Sequence, residues 1–366
     1  MAERPDYLIA GAGPAGALLA RLLADDGYRV AVIDPSPRPG TKPCGWAVPA
    51  EIESIYSIPG DAVITRIRGY RVYLSGRLVF EERGRHWGYI VDKPRMLEKL
   101  LEGIPLHRRG LRLAEGFNPK PPAGLEPRRS VVVATGSQAY AGRMRDMIYA
   151  VQTLLPWSDS FEEDLVEFHF DPSLVGYYWV FPRPPRWIDV GVGGYEKPMK
   201  LIERLHSFIT ERLKGRIRRE DVKGAWINVS GAQPQLLTSN PPVIGEAAGY
   251  VYPLTGEGIR PSMVSALAYY ETAIRGRGDP KLHRTTVKWI NIQRRIVDRA
   301  LKSSPESRAA LLESMPPDLF VSLGLGSLPL TKALKLAARL PRGIARIIAE
   351  TLKPQPLKRQ RGGGEE

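Results

Sequence analysis

The sequence predicts an α/β protein: a Rossmann-like parallel-sheet domain split by an inserted antiparallel β-sheet lobe and followed by a helical C-terminal region. Three observations predict it. The chain opens on strand, glycine turn, helix and strand in "DYLIAGAGPAGALLARLLADDGYRVAVID". Its middle is β-rich, with "VEFHF", "GYYWVFP" and "WIDVGVGGY" reading as an antiparallel meander. Beyond about residue 280 the apolar residues recur at helical spacing among many basic ones.

Each element has a local reason. Tyr7 to Ala10 is a short apolar run, and Ala17, Leu18, Arg21, Leu22 and Ala24 keep helical spacing up to Gly27. "RVAVID" is a second buried strand. "YRVYLSGRLVFEE" reads as a hairpin turning at Ser75-Gly76, and "DKPRMLEKLLEG" as a helix with proline near its start and glycine at its end. "SVVVATGS" is another buried strand, and "MKLIERLHSFITERLKG" a helix before "AWINVSG". Nucleotide-fold texture returns in "PPVIGEAAGYVYPLTGEGIRPSMVSALAYYETAIRG", read as strand, loop and a long helix starting near Ile259. The expected boundaries are therefore discontinuous: 1–60, 90–145 and 236–280 for the nucleotide-binding domain, 61–89 and 146–235 for the β-rich lobe, 281–355 for the basic helical region, and 356–366 for a disordered tail.

Composition narrows the class. With 43% hydrophobic and 25% charged residues over 366 positions, the chain buries a sizeable core. Its single cysteine, Cys44, excludes an internal disulfide and any need for an oxidising compartment. Asparagine and glutamine are scarce beside 53 lysines and arginines, a balance that leans toward a thermophilic source. The net charge of +14 asks for an acidic partner. No apolar run is long enough to span a bilayer, and the glycines and Arg21 of the apolar start argue against a signal segment, so the expectation is a cytoplasmic protein.

Gly11-x-Gly13-x-x-Gly16 follows a strand and opens a helix, with Asp34 at the end of the next strand. The three glycines serve the tight turn, the approach of backbone to a pyrophosphate, and close packing of helix on strand. The helix N-terminus offers free N–H groups to phosphates, and Asp34 accepts hydrogen bonds from ribose hydroxyls. This combination reads as dinucleotide binding. Only one such fingerprint is present, so no second site for a nicotinamide dinucleotide is expected.

"GEAAGYVYPLTGEGI", "KPCGWAVP" and the aromatic run Tyr177-Tyr178-Trp179-Val180-Phe181-Pro182 carry a resemblance. Together they resemble the geranylgeranyl reductase family of FAD-binding hydroxylases and reductases, which includes archaeal enzymes that saturate the isoprenoid chains of membrane lipids. The resemblance covers most of residues 1–275 and implies FAD as cofactor. It implies FAD contacts at Ala15, Asp34, Cys44, Gly45, Ala47, Arg95, Glu246, Gly258 and Ile259, beside the fingerprint glycines Gly11, Gly13 and Gly16, and Gly256 with Gly258 would let backbone approach the flavin ring. Three positions depart from the family pattern: Glu246 stands for the usual aspartate, Ala47 for a frequent glycine, and Leu174 for the proline before the aromatic signature.

The implied reaction is demanding. Reduced flavin gives a hydride, yet an isolated trisubstituted C=C has no carbonyl to accept the charge, so protonation must accompany or precede hydride arrival. The site then needs an apolar tunnel, a proton source and π-faces near the developing cation. Tyr177, Trp179 and Phe181 alternate along one strand and so share one face. That face is either ordinary aromatic core or, as the resemblance implies, the cavity wall with Tyr177 and Trp179 in the chemistry. Cys44 has three readings: proton donor to the alkene, polar contact to the flavin, or packing that excludes water. No metal site is read: the five histidines lack ligand spacing and there is one cysteine.

"LPLTKALKLAARLPRGIARIIAETLKPQPLKRQR" places nine basic residues and one acid between Lys332 and Arg361 beside an apolar stripe. Such helices either lie on an anionic membrane, at about 1 kcal/mol per positive residue, or cap the protein. Nucleic acid is disfavoured, since the aromatics sit away from the basic residues. With one dinucleotide site, electrons would come from a docking protein such as an acidic ferredoxin or from a small reduced carrier. Three other readings stay open: a flavin monooxygenase or halogenase on the same fold, a non-redox prenyl cyclase or isomerase, and a non-catalytic flavoprotein or lipid carrier.

Overall fold

The computed structural model describes residues 4–109, 112–114, 118–139 and 146–326. The basic segment 332–361 and the tail 356–366 lie outside these residues.

Two sheets organise the chain. The smaller is all parallel, in the order β6-β2-β1-β9, with β1 at Tyr7–Ala10, β2 at Val30–Ile33, β6 at Leu106–His107 and β9 at Ser130–Val133. Every residue of β1 and β2 is buried, as expected of strands covered on both faces. Helix α1, Pro14–Asp25, packs its apolar face on this sheet and against α4, Ile259–Tyr269. It stops where Gly27 takes a left-handed φ of 81°. The expected strand before Glu246 shrinks to one parallel bridge, Val133 to Val243. Pro241 and Pro242 precede it and have no N–H to donate, so a longer ladder cannot form.

The larger sheet has eight strands in the order β14-β10-β13-β12-β11-β4-β5-β3. The long hairpin of β4, Val63–Leu74, and β5, Arg77–Val91, turns where expected, with Ser75 and Gly76 both at positive φ. The meander β11 (Leu165–Phe170), β12 (Gly176–Arg183) and β13 (Trp187–Gly194) is antiparallel as read. Two strands were not legible. Met147–Pro156 forms β10 between β13 and β14 (Lys223–Asn228), and the three-residue β3, Ala47–Pro49, pairs with β5. Consequently the "KPCGW" segment bridges the two sheets: it leaves the nucleotide-fold side and enters the β-rich one.

Helix α2 (Lys93–Leu100) begins with Asp92 accepting the Arg95 N–H at 3.0 Å, and α3 (Pro198–Arg212) packs on β10 and β13. Helices α5 (Lys281–Ala300), α6 (Pro305–Ser314) and α7 (Pro317–Leu325) follow. Gln293 of α5, fully buried, accepts the Leu254 N–H and donates to the carbonyls of Leu323 and Gly324, fastening the end of α7. No helix among the described residues is long and apolar enough to cross a membrane.

Candidate active site

A cavity of about 1480 Å³ runs between the sheets, from the glycine turn after β1 to the space enclosed by β11, β12 and α5–α7. Of the residues singled out from the sequence, Gly11, Gly13, Ala15, Asp34, Cys44, Gly45 and Ala47 line it. So do Tyr177, Trp179, Phe181, Glu246, Gly256, Gly258 and Ile259. Gly16 and Arg95 do not. Gly16 is a packing residue: a Cβ there would fall 1.9 Å from the Gly11 carbonyl oxygen. Arg95 points away and pairs with Asp61 at 2.5 Å, both partly exposed.

The glycine turn fits a dinucleotide. Gly11 holds φ at 114°, and a Cβ would lie 2.3 Å from the Ala134 carbonyl oxygen. At Gly13, by contrast, a Cβ would meet nothing within 4 Å, so this glycine opens a cradle on the cavity side. No side chain caps α1, which leaves its first N–H groups to a phosphate. Asp34 accepts from the Ala12 and Ser36 N–H groups, each at 2.8 Å, and so fixes the turn while lining the cavity. Across the cavity, Gly258 precedes α4, whose first turn gives the Arg260 N–H to the Glu257 carboxylate at 3.1 Å while Gly258 and Ile259 line the cavity. Two helix N-termini with positive dipole ends thus face one space, an arrangement that suits FAD.

Glu246 is engaged within the protein. Both its carboxylate oxygens receive Lys42 Nζ at 2.7 Å, and one also receives the Asn228 N–H at 3.0 Å. The extra methylene relative to aspartate spans the gap between the "KPCGW" segment and β14. Lys93, at the start of α2, threads past Gly40 and donates to the Lys42 carbonyl at 2.8 Å. It is buried on the cavity wall, and burial holds its ammonium below the ordinary lysine range.

The aromatic strand forms the opposite wall. Trp179 lies flat across Gly191 of β13, where a Cβ would sit 2.1 Å from the indole. Gly45 is pressed between the same indole and the Phe181 ring, whose carbons stand 2.8 and 2.9 Å from where a Cβ would be. Tyr177 donates its hydroxyl to the Thr255 carbonyl of the turn before α4, and burial pushes its pKa well above the usual phenol value. Its proton is therefore spent on the backbone. The Cys44 sulfur accepts the Trp46 N–H at 3.5 Å, and Trp46 itself sits at a left-handed φ of 62°.

Sequence reasoning missed Lys42, Lys93, Gln152, Arg183 and Asp189. Asp189 is fully buried and accepts from Trp179 Nε1 at 2.8 Å, Gln152 Nε2 at 3.0 Å and the Arg183 guanidinium. Burial raises its pKa to about 6 against the pull of Arg183. A signal for Arg183 existed: it continues the two-residue period of Tyr177, Trp179 and Phe181. Its partner is the residue opposite Phe181, which only the register reveals.

The comparisons agree with the fold and the resemblance. A model of the NAD(P)-binding Rossmann-like domain matches residues 9–48. The digeranylgeranylglycerophospholipid reductase of Methanococcus vannielii is 28% identical over 294 residues, 71% of this chain and 74% of that protein. The menaquinone reductase of Mycobacterium tuberculosis is 27% identical over 313 residues, 70% of this chain and 73% of that one. Among solved structures, a geranylgeranyl bacteriochlorophyll reductase-like protein from Thermoplasma acidophilum superposes with a TM-score of 0.72 at 19% identity, covering 95% of this chain and 99% of that one.

Proposed function

We propose that this oxidoreductase is a flavin-dependent reductase that saturates C=C bonds in the isoprenoid chains of lipids. The observation that carries the reading is the continuity of the cavity. One end is the dinucleotide cradle of Gly11, Gly13 and Asp34; the other is an apolar chamber lined by Phe168, Phe170, Leu311, Met315 and Phe320. A long apolar chain that must meet a dinucleotide cofactor needs this pairing of a phosphate cradle with a greasy channel. The reductase relatives support the substrate class.

FAD, when bound and reduced, supplies the hydride. The remaining steps belong to the chain's own residues. Gly13 and the α1 N-terminus receive the pyrophosphate, and the α4 N-terminus at Gly258 and Ile259 stabilises negative charge beside the flavin. Trp179 and Phe181 offer π-faces to the more substituted carbon as positive character develops there, and with the packed β-sheet behind them they exclude water. The other alkene carbon must gain a proton. Tyr177 is committed to the Thr255 carbonyl, and we place the Cys44 thiol, at the cavity wall, as the donor. One proton and one hydride add across the double bond, so the product gains two hydrogens and the thiol is re-protonated from solvent. Electrons reach the flavin from an external carrier, which we place as a docking protein or small reductant, because the described residues hold one dinucleotide turn.

The test is anaerobic incubation of the full chain with reduced flavin and a geranylgeranyl lipid. The expected product is heavier by two hydrogens per bond reduced. Unchanged mass points to an isomerase, and substrate-stimulated oxygen uptake to a monooxygenase; either result sinks the proposal. Cys44→Ser is expected to keep FAD absorbance while losing about 99% of turnover or more, the factor of at least about 100 typical of a lost general acid. Full activity in that variant would reduce Cys44 to a packing residue.

A further inference from the structure

On the same sheet face as the aromatic wall, the buried charges of Arg183 and Asp189 line neither the dinucleotide cradle nor the apolar chamber. What they do touch is the backbone beside the lone thiol. Arg183 Nη2 donates to the Cys44 carbonyl at 2.9 Å, and Gln152 Nε2, already on Asp189, reaches the same carbonyl at 3.4 Å. The Arg183 guanidinium also stacks 3.8 Å from the centroid of the Trp46 ring. Between them, Gly45 is packed on Trp179 and Phe181, and the Trp179 indole N–H is itself fixed by Asp189. Three successive residues, Cys44, Gly45 and Trp46, are therefore each held by side chains that Asp189 organises.

Stability alone is a weak reason for such a cluster. A buried ion pair commonly returns less than its desolvation costs, and well-packed apolar residues of similar volume do as well or better. Here Arg183 is 8% exposed and its Nε is buried without a hydrogen-bond partner, a further cost. The cluster's evident product is a fixed peptide at Cys44 and a tryptophan held at positive φ.

We propose that Asp189, Arg183 and Gln152 form a positioning device that clamps the Cys44 carbonyl and thereby holds the thiol at the cavity wall in the geometry that proton delivery requires. The catalytic consequence rests on the reading of Cys44 given above; the positional consequence does not. Asp189 acts through Arg183, Gln152 and Trp179, and is a positioning residue.

Because Cys44 is the sole cysteine, its alkylation by iodoacetamide, followed by intact mass, reports the state of this loop without background. In the full-length protein as purified, D189N and R183M are expected to raise the labelling rate at least tenfold. The same variants should lower kcat about tenfold with KM and flavin content unchanged, and R183K should recover part of both effects. Q152L, which removes a neutral donor and leaves no buried charge behind, should raise labelling about threefold and keeps the test available if the charge variants do not fold. Labelling at the wild-type rate in folded D189N, R183M or Q152L overturns the proposal. Faster labelling with unchanged kcat upholds the clamp and instead removes Cys44 from the chemistry.

Discussion

The two walls of the cavity are built on opposite principles. The glycine turn between β1 and α1 works by omission: at Gly11 and Gly16 a Cβ would meet a carbonyl oxygen, and at Gly13 it would enter open space on the cavity side. The aromatic wall works by commitment, filling its volume with Trp179 and Phe181 and then fixing the Trp179 indole through the buried Asp189, itself paired with Arg183. Omission is a local requirement, and any change at such a position is felt at once. Commitment is distributed, and a change at one member is felt through its partners.

That contrast orders the expected effects. The largest falls on the turn. Gly11→Ala forces a Cβ to within 2.3 Å of backbone at a φ of 114°, and backbone cannot step aside as a side chain would. Strain of that kind costs about 1–3 kcal/mol before any clash is counted. We expect the variant to be purified without flavin absorbance and with a lowered Tm, whereas Gly13→Ala should keep its Tm and lose mainly cofactor affinity. Equal behaviour of the two would break the distinction between packing and cradle glycines.

The same contrast explains what the sequence disclosed. The glycine fingerprint, Asp34 and the aromatic period are written in residues a few positions apart, so local spacing carries them. The hairpin at Ser75-Gly76 and the start of α4 at Ile259 were legible for the same reason. The clamp on Cys44 draws Gln152 from β10, Arg183 from β12 and Asp189 from β13, and no spacing rule joins them. Strand β10 was itself missed, because "MIYAVQTLLP" has no glycine and one aromatic, Tyr149, to set beside the repeated aromatics and glycines of its neighbours, and without it Gln152 had no place. Arg95 shows the converse case. Its position was carried from a resemblance, and the structure turns it toward Asp61 while Lys93, two residues earlier, lines the cavity.

A middle-sized effect sharpens the account of the committed wall. Asp189 titrates at about 6 in the folded protein, against 3.8 for a free carboxyl, because burial outweighs the attraction of Arg183 and the nearby Lys93. The folded state therefore holds this proton more tightly than the unfolded one. The group's contribution to stability is fully present below about pH 4, declines as pH rises through 6, and is level above it, a span of about 3 kcal/mol at 1.36 kcal/mol per unit. Urea unfolding should show D189N gaining on the native sequence between pH 4.5 and pH 7. Activity should run the other way, with an acid limb near pH 6, because the clamp needs the ionised carboxylate to hold Arg183. A pH-independent difference between the two proteins would place the ionisation elsewhere.

The smallest effect concerns the seam where the walls meet. Lys42 and Glu246 join the "KPCGW" segment to the helical turn Gly245–Ala248, but Lys42 is more than a third exposed, so the pair itself adds at most about 1 kcal/mol. Glu246→Asp withdraws the carboxylate by one methylene. We expect it to keep the Asn228 N–H and lose Lys42 Nζ, which retains Ser137 Oγ at 3.2 Å and turns toward the cavity that it lines. A freed cation beside a cofactor with a diphosphate favours binding. Unfolding free energy should therefore change by no more than about 1 kcal/mol, while flavin dissociation, followed by fluorescence, slows a few-fold at low salt and returns to the native rate at high salt. A salt-independent change would mean that Glu246 acts through the shape of the seam and not through the charge it retains.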